Sequence, residues 1–119
     1  EETEGKIDIF NGVGGCELPD VIRAGAAGVI PGSESFDVLL KVYNNMRMNN
    51  EQEAEKLYRE ILPLLLFLED SIDHLVNYGK VALARRLETL VGSPALPSMS
   101  CTDFGLQVIQ RHIAILPKL

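Results

Sequence analysis

The sequence predicts an α/β fold that begins as a strand–helix–strand unit and continues as a series of helices. Two short apolar runs, residues 7–10 and 26–30, are bounded by glycine or proline, as buried strands often are. A helical pattern of about two turns lies between them, and such connections join parallel strands. From residue 33 onward, apolar residues recur every three or four positions, which is the helical period.

The connecting helix and the second strand have clear boundaries. Residues 17–24 predict a helix, because Pro19 is tolerated in a first helical turn and Gly25 provides a C-terminal stop. A Pro-Gly pair directly after residue 30 ends the second strand. Parallel strands of this kind are normally covered on both faces by helices.

Two helices are predicted next. The first ends near residue 49, and its apolar stripe is Phe36, Leu39, Leu40, Tyr43 and Met46 or Arg47. The second is the longest and begins at Asn50, which with Glu53 has the pattern of a capping box. Pro63 removes one backbone donor and is expected to kink or divide this helix. Its apolar face is Ala54, Leu57, Tyr58, Ile61, Leu65, Leu68, Ile72, Leu75 and Val76.

Two further helices complete the prediction. One covers residues 78–90, and an irregular loop at 93–100 separates it from the last helix. Ser100 with Asp103 is expected to cap that helix. Its apolar positions are Leu106, Ile109, Ile113 and Leu116. Two strands leave sheet edges unpaired, so we expect this segment to be part of a larger domain.

Composition argues against several classes of function. The chain has 11 Lys and Arg against 17 Asp and Glu, and its only basic block is Arg85–Arg86, so neither nucleic acid nor a membrane surface is an expected partner. The longest apolar run, residues 62–68, is far shorter than the ~20 residues that span a bilayer. Cys16 and Cys101 lack metal-ligand spacing and predict free thiols in a reducing, cytoplasmic compartment. No secretory signal is expected.

The glycine-rich turn after the first strand does not complete a nucleotide-binding motif. Gly12 and Gly14 fit the start of G-x-G-x-x-G, but the third glycine position holds Glu17. Two interpretations stay open: a tight turn that needs positive φ, or a place where a ligand approaches bare backbone. Because ligands bind at the C-terminal ends of parallel strands, this turn and Ile30 are expected to face one site.

Isolated titratable side chains form no catalytic group in the sequence. His74 and His112 have no second ligand or nucleophile at useful spacing and are interpreted as packing or surface residues. Lys80 lies among apolar residues, where a lysine could lose its charge, yet the neighbouring arginines favour an ordinary helix surface. Asp70 and Asp73 are interpreted as solvated helix charges.

Four stretches carry a resemblance to a known family: IFNGVGG, AGAAGVIPGSESF, LVNYGKVALARRL and TDFGLQVIQRHI. With them the chain resembles the C-terminal part of the dihydrodipicolinate synthase and N-acetylneuraminate lyase family, and most of all the 2-keto-3-deoxy sugar-acid dehydratases, such as the arabonate enzymes. The resemblance implies a C-terminal segment of a (β/α)₈ TIM barrel. Residues 1–48 would be its last two βα units and residues 49–119 a C-terminal helical extension.

The resemblance also implies a Schiff-base-forming lyase or dehydratase that acts on a 2-keto-3-deoxy sugar acid or related 2-oxo acid, with no cofactor or metal. The imine-forming lysine and the proton-shuttling tyrosine come from earlier strands, so no catalytic residue is expected here. None of this segment's lysines stands at the matching position: Lys6, Lys41, Lys56, Lys80 and Lys118. The implied partners are the N-terminal remainder of the barrel and, in a homotetramer or dimer, further copies.

The residues implied in substrate binding lie at the ends of the two strands. Asn11 and Gly12 match the small residue and glycine that end the seventh strand, and Val13 follows them in the turn. Ile30 matches the strand-eight residue whose backbone carbonyl lies near the Schiff-base lysine. The glycines would let a polyhydroxy substrate lie against the backbone.

Two departures from the family pattern favour a dehydratase or an uncharacterised relative. Sialate lyases carry acidic residues where this chain has Gly14 and Gly15, and dihydrodipicolinate synthases usually have Ser or Thr where it has Pro31. A dihydrodipicolinate synthase or aldolase proper stays open as an alternative. A noncatalytic helical interaction module is another, in which Leu57, Ile61, Leu65 and Leu68 would bind a partner helix.

Overall fold

The computed structural model describes residues 5–119, in which two short parallel strands are followed by helices. The strands are β1 (Phe10–Asn11) and β2 (Gly28–Val29), with helix α1 (Leu18–Arg23) between them. A 3₁₀ turn, Val13–Gly15, follows β1. The remaining helices are α2 (Phe36–Arg47), α3 (Glu51–Leu68), α4 (Ile72–Arg86) and α5 (Asp103–Ile113).

The two strands pair in parallel, as the sequence predicts, but both are shorter than their apolar runs. Hydrogen bonds continue the pairing past their ends, because the Ala27 N–H donates to the Ile9 carbonyl and the Ile30 N–H to the Asn11 carbonyl, each over 2.8 Å. With only two strands in the sheet, β1 and β2 each have one paired edge. Helix α1 forms as predicted, with a proline in its first turn and Gly25 at φ +92° just after it.

The long helix predicted from Asn50 through Val76 is divided in two, but the division is not at Pro63. Helix α3 ends at Leu68, and α4 begins at Ile72 after a short break. Ser71 caps α4, since its Oγ accepts a hydrogen bond of 3.1 Å from the His74 N–H. The predicted helix at residues 78–90 is therefore the second half of α4, which already ends at Arg86.

Pro63 does not divide α3. The proline lies on the exposed side of a helix that continues through it, where water can hydrogen bond the carbonyl that loses its partner.

The predicted capping box is absent: the Asn50 side chain donates to Asn45 Oδ1 over 2.9 Å instead of capping α3. At the last helix Thr102, not Ser100, is the cap, with its Oγ1 3.0 Å from the Gly105 N–H.

The predicted apolar stripe of α2 is buried only in part. Leu39 and Met46 are 1% and 6% exposed and lie in the core. Phe36 and Leu40 are 48% and 52% exposed, whereas Val38 and Val42, which the prediction omits, are fully buried. Two apolar stripes overlap on this helix, and the one that contains the valines packs against α3. The other lines an apolar groove of about 250 Å³ beside β2 with Pro31 and Tyr43.

The core lies between the helices rather than beneath the sheet. Helix α3 contributes the largest set of fully buried side chains, and α2 packs along it over most of its length. Helices α4 and α5 close the other side. The buried apolar residues of the core are Leu18, Val38, Leu39, Val42, Met46, Ala54, Ile61, Leu64, Leu65, Leu68, Tyr78, Ala82, Ile109, Ile113 and Leu116.

Arg86 connects three separate parts of the chain through one buried guanidinium group. Its Nη1 and Nη2 donate to the two carboxylate oxygens of Asp37 on α2, each over 2.8 Å. Nη1 also donates to the Glu34 carbonyl over 2.6 Å, and Nη2 to the Pro117 carbonyl over 2.8 Å. Burial acts to raise the pKa of Asp37, but the hydrogen bonds and charge of Arg86 outweigh it and hold that pKa below its ordinary value.

Replacing Arg86 by Met should lower the free energy of unfolding by about 3 kcal/mol, because the Asp37 carboxylate is then left in the protein without its positively charged partner. The lowered pKa of Asp37 means that the pair contributes its stability above the ordinary value of 3.8. The difference between Arg86→Met and the parent should therefore shrink as the pH falls below that value. Urea unfolding between pH 3 and 7 measures both effects.

Arg85→Met is the matched control, because Arg85 donates only to the Leu106 carbonyl and forms no ion pair within residues 5–119. It should cost about 1 kcal/mol, with no dependence on acid pH. Equal losses in the two variants at every pH would contradict a special role for the buried pair.

Candidate functional site

The predicted substrate-binding residues meet at the C-terminal ends of β1 and β2. Asn11 ends β1, and its carbonyl accepts the 2.8 Å hydrogen bond from the Ile30 N–H directly after β2. Gly12 and Val13 continue from Asn11 into the turn. Val13 and Ile30 are 58% and 63% exposed, so this edge of the sheet is open to a ligand. The structure thus gathers all four residues, while their role in binding stays a prediction.

The side chain of Asn11 has an unused acceptor at this edge. Its Nδ2 donates to Glu17 Oε2 over 3.3 Å. Its Oδ1 is buried and has no hydrogen-bond partner among the residues that the structure describes. A buried amide oxygen without a donor is costly, so Asn11 Oδ1 is an unsatisfied polar atom beneath the strand end.

The glycine-rich turn uses backbone conformations that favour glycine. Gly14 and Gly15 have φ values of +56° and +88°. A Cβ on Gly15 would also lie 2.9 Å from Leu39 Cδ1 in the core. Val13 adopts φ +52° between the glycines, a strained conformation for a β-branched residue. The interpretation as a tight turn with positive φ is therefore confirmed.

Glu69 lies over this turn, although it belongs to the end of α3. Its carboxylate occupies the space that a Cβ on Gly14 would fill, with Cδ 3.1 Å from that position. The Glu69 backbone N–H still donates to the Leu65 carbonyl over 2.8 Å, which fixes the residue at the helix end. The break between α3 and α4 therefore brings a carboxylate to the C-terminal edge of the sheet.

A second carboxylate, that of Glu34, is buried behind the same edge. Glu34 follows β2 by five residues and is 5% exposed. The Glu34 side chain folds back over Gly32, and Ser35 Oγ donates a hydrogen bond of 3.4 Å to Glu34 Oε1. Burial raises the pKa of Glu34, and the charge of Glu69 raises it further, against the lowering effects of Ser35 and Arg86.

Both cysteines are free thiols, as the sequence predicts. Cys16, next to the glycine turn, has its pKa raised by burial and by the negative charges of Glu69 and Glu17. Burial likewise raises the pKa of Cys101, against a lowering by Arg85. A raised pKa keeps a thiol protonated, and so these residues lack the thiolate that nucleophilic chemistry requires.

The histidines and Lys80 take no part in this edge. His74 Nδ1 lies 3.0 Å from the Phe67 carbonyl, and its ring packs at 5.0 Å from the rings of Phe67 and Tyr78, which fits a packing residue. His112 is half-buried on α5, and burial lowers its pKa. Lys80 is exposed on α4.

No group of three or more potential metal ligands occurs within residues 5–119. In the same part of the chain, none of the helices has the length and apolar character needed to cross a bilayer.

Sequence reasoning missed Glu34 and Glu69. Glu34 was detectable as an acidic residue just after the Pro-Gly pair that ends the second strand. Glu69 forms the acidic pair with Asp70 that ends a long apolar run, which is a signal for a helix end. Neither signal indicates that the two side chains approach one edge, because that requires the packing of α3 and α4 against the sheet.

Glu34→Gln should raise the free energy of unfolding at pH 7 relative to the parent. The raised pKa of Glu34 means that the folded state retains a proton that the unfolded state loses above its ordinary value of 4.5. Parent stability should therefore fall as the pH rises through the folded-state pKa, and Gln removes that loss. Chemical unfolding from pH 4 to 8 measures it, with Glu60→Gln on α3 as the control. Parallel pH profiles for the parent and Glu34→Gln would contradict the prediction.

Two solved structures share the fold of this chain, although no family model and no curated protein matches it. One is a dihydrodipicolinate synthase from Rhodopseudomonas palustris, with 22% identity and a TM-score of 0.84. The other is a candidate dihydrodipicolinate synthetase from Pseudomonas aeruginosa, with 23% identity and a TM-score of 0.81. Each match covers 95% of this chain and 38% of the solved chain. The chain therefore has the fold of part of a dihydrodipicolinate synthase, the C-terminal segment of a TIM barrel with a helical extension.

Proposed function

We propose that this chain is the C-terminal segment of a Schiff-base-forming lyase of the dihydrodipicolinate synthase family, acting on a 2-keto-3-deoxy sugar acid or a related 2-oxo acid. One observation carries the proposal: Asn11, Gly12, Val13 and Ile30 meet at the open C-terminal edge of two parallel strands. In barrels with this fold, that edge is where substrates bind. The likeness of the fold to two dihydrodipicolinate synthase structures supports the family in this assignment, while the sugar-acid substrate rests on the sequence resemblance.

The N-terminal remainder of the barrel is the proposed partner of this segment. Large apolar side chains are exposed on and beside the two strands: Ile9, Phe10, Ile30, Phe36 and Leu40. Such a surface normally packs against other protein. The Cα radius of gyration, 15.4 Å, also exceeds the ~13.5 Å of a compact domain of this length. Missing barrel strands would cover the face and complete the core.

The proposed division of the chain follows from this partner. Residues 1–48, of which 1–4 lie outside the described residues, would form the last two βα units of the barrel. Residues 49–119 would form the extension, which contains α3, α4 and α5. The largest interface between the two parts is that of α2 with α3, and the Arg86–Asp37 pair also joins them.

The imine-forming lysine is proposed to come from the remainder of the barrel. All five lysines of this chain are exposed, and three of them lie on the helices α2, α3 and α4. A lysine that attacks a keto group must lose its proton, which proteins achieve by burial or a neighbouring cation. The exposed helical lysines have neither advantage, and Glu88 raises the pKa of Lys118, which keeps that lysine protonated. With the family resemblance, which places the lysine on an earlier strand, this favours a nucleophile from the remainder of the barrel.

Loss of water from a 2-keto-3-deoxy acid is the proposed reaction. This choice rests on the family resemblance, which is greatest to the 2-keto-3-deoxy sugar-acid dehydratases, and on Gly12, which is exposed and has nothing within 4 Å of the position of a Cβ. No cofactor is required for imine chemistry of this kind. The free cysteines suit a cytoplasmic location, and the family resemblance suggests a homotetramer or dimer.

The alternative of a helical interaction module does not fit the structure. Its proposed binding face consists of Leu57, Ile61, Leu65 and Leu68. The last three are no more than 1% exposed, and Leu57 packs against the same cluster. These side chains already form the core of this chain, so that a partner helix could reach them only by unfolding it.

Borohydride reduction tests the proposal. The longest native form of the protein is incubated with pyruvate or 2-keto-3-deoxyarabonate, reduced, and analysed by intact-protein and peptide mass spectrometry. A covalent adduct on a lysine outside residues 1–119 is expected. An adduct on Lys6, Lys41, Lys56, Lys80 or Lys118 would place the nucleophile in this segment, and the absence of any adduct would remove the Schiff-base function.

A further inference from the structure

We propose that Glu69 is a specificity-determining residue, whose carboxylate accepts hydrogen bonds from substrate hydroxyl groups. The inference rests on the proposed function and deepens it. Glu69 lies outside the two βα units, at the end of the first helix of the extension. The extension would thus contribute directly to the pocket that the strand ends form.

The position of the carboxylate is the first argument. The end of the Glu69 side chain occupies the space next to Gly14, where a Cβ on that glycine would lie. Gly14 lies three residues after the end of β1, in the turn that holds Gly12 and Val13. A group that covers this turn lies at the C-terminal edge of the sheet, within reach of any molecule bound against the exposed backbone.

The second argument is an excess of acceptors over donors. No group within residues 5–119 donates a hydrogen bond to the Glu69 carboxylate or forms an ion pair with it. A carboxylate only accepts hydrogen bonds, so the missing component is a donor, and a hydroxyl group of a sugar acid supplies one.

The third argument is that the charge of Glu69 acts unfavourably on its neighbours. Glu34 is buried close enough for the charge of Glu69 to raise its pKa, and Cys16 is affected in the same way. These repulsive effects work against a second acidic group beside Glu34. Within the described residues, no hydrogen bond or ion pair of the Glu69 carboxylate offsets this repulsion. A hydrogen bond from a bound hydroxyl group to the charged carboxylate would offset it.

Two substrates separate this role from a general one. Pyruvate has the keto acid group but no hydroxyl, and 2-keto-3-deoxyarabonate has both. In the longest native form, Glu69→Gln should raise the concentration of 2-keto-3-deoxyarabonate needed for half-maximal borohydride adduct by about 10- to 100-fold, the loss typical of a charged hydrogen bond. The concentration for pyruvate should not change. Glu60→Gln, on the same helix, should change neither.

A relocation variant guards against a merely structural effect. Gly14→Asp in combination with Glu69→Ala returns a carboxylate to the same space, and Asp tolerates the positive φ of residue 14 better than most residues. This double variant should bind 2-keto-3-deoxyarabonate more tightly than Glu69→Ala alone. In Gly14→Asp alone, the flexible end of the Glu69 side chain has to move aside, because it occupies the space of the new side chain.

The outcomes separate the two proposals. If both substrates form the adduct but Glu69→Gln affects them equally, or affects neither, the role of Glu69 is refuted while the Schiff-base function stands. A lack of recovery in the double variant, folded as judged by its melting temperature, refutes the role as well. If neither substrate forms an adduct in the parent protein, the proposed function fails and the role of Glu69 with it.

Discussion

The buried Arg86 guanidinium is the interaction on which the arrangement of this chain most depends. It bonds the carboxylate of Asp37 on α2, the Glu34 carbonyl after β2 and the Pro117 carbonyl near the C-terminus. An arginine can satisfy these groups together because its planar fork presents donors in several directions. These bonds hold the helical extension against the loop that follows the second strand.

Two carboxylates lie near the strand edge that Arg86 helps to hold. The chain turns between α3 and α4, at Leu68–Ser71, and Glu69 in this turn lies over Gly14. Glu34, whose carbonyl is bound by Arg86, has its carboxylate buried against Gly32 and close to Gly79 of α4. Both parts of the chain therefore place groups near the ends of the strands: the glycine turn from one part and the Glu69 carboxylate from the other.

The sequence predicts the strand–helix–strand unit well because its boundaries are encoded locally. Glycine and proline mark both strand ends, and the positive φ values of Gly14 and Gly15 require the residues that are present. The break after α3 was missed because the apolar period continues through it, from Leu68 to Ile72, and hides the short Ser71 cap. Proline drew attention to residue 63 instead, where solvent compensates for the lost donor.

The candidate site divides in the same way. Asn11, Gly12, Val13 and Ile30 were predictable, because residues that follow parallel strands share one edge. Glu34 and Glu69 were not, because their approach depends on helix packing between parts of the chain that are distant in sequence. Helix α2 illustrates the same limit: Val38 and Val42 form one apolar stripe and Phe36 and Leu40 another, and only the position of α3 determines which is buried.

The most direct test of the central claim is a crystal structure of the longest native form after borohydride reduction with pyruvate. The reduced adduct should lie at the C-terminal edge of β1 and β2, with Asn11, Val13 and the Ile30 carbonyl beside it. Upstream strands should cover Phe10, Phe36 and Leu40. An adduct bound away from this edge, or an apolar face still open to solvent in the longer protein, would contradict the assignment of this chain to the end of a barrel.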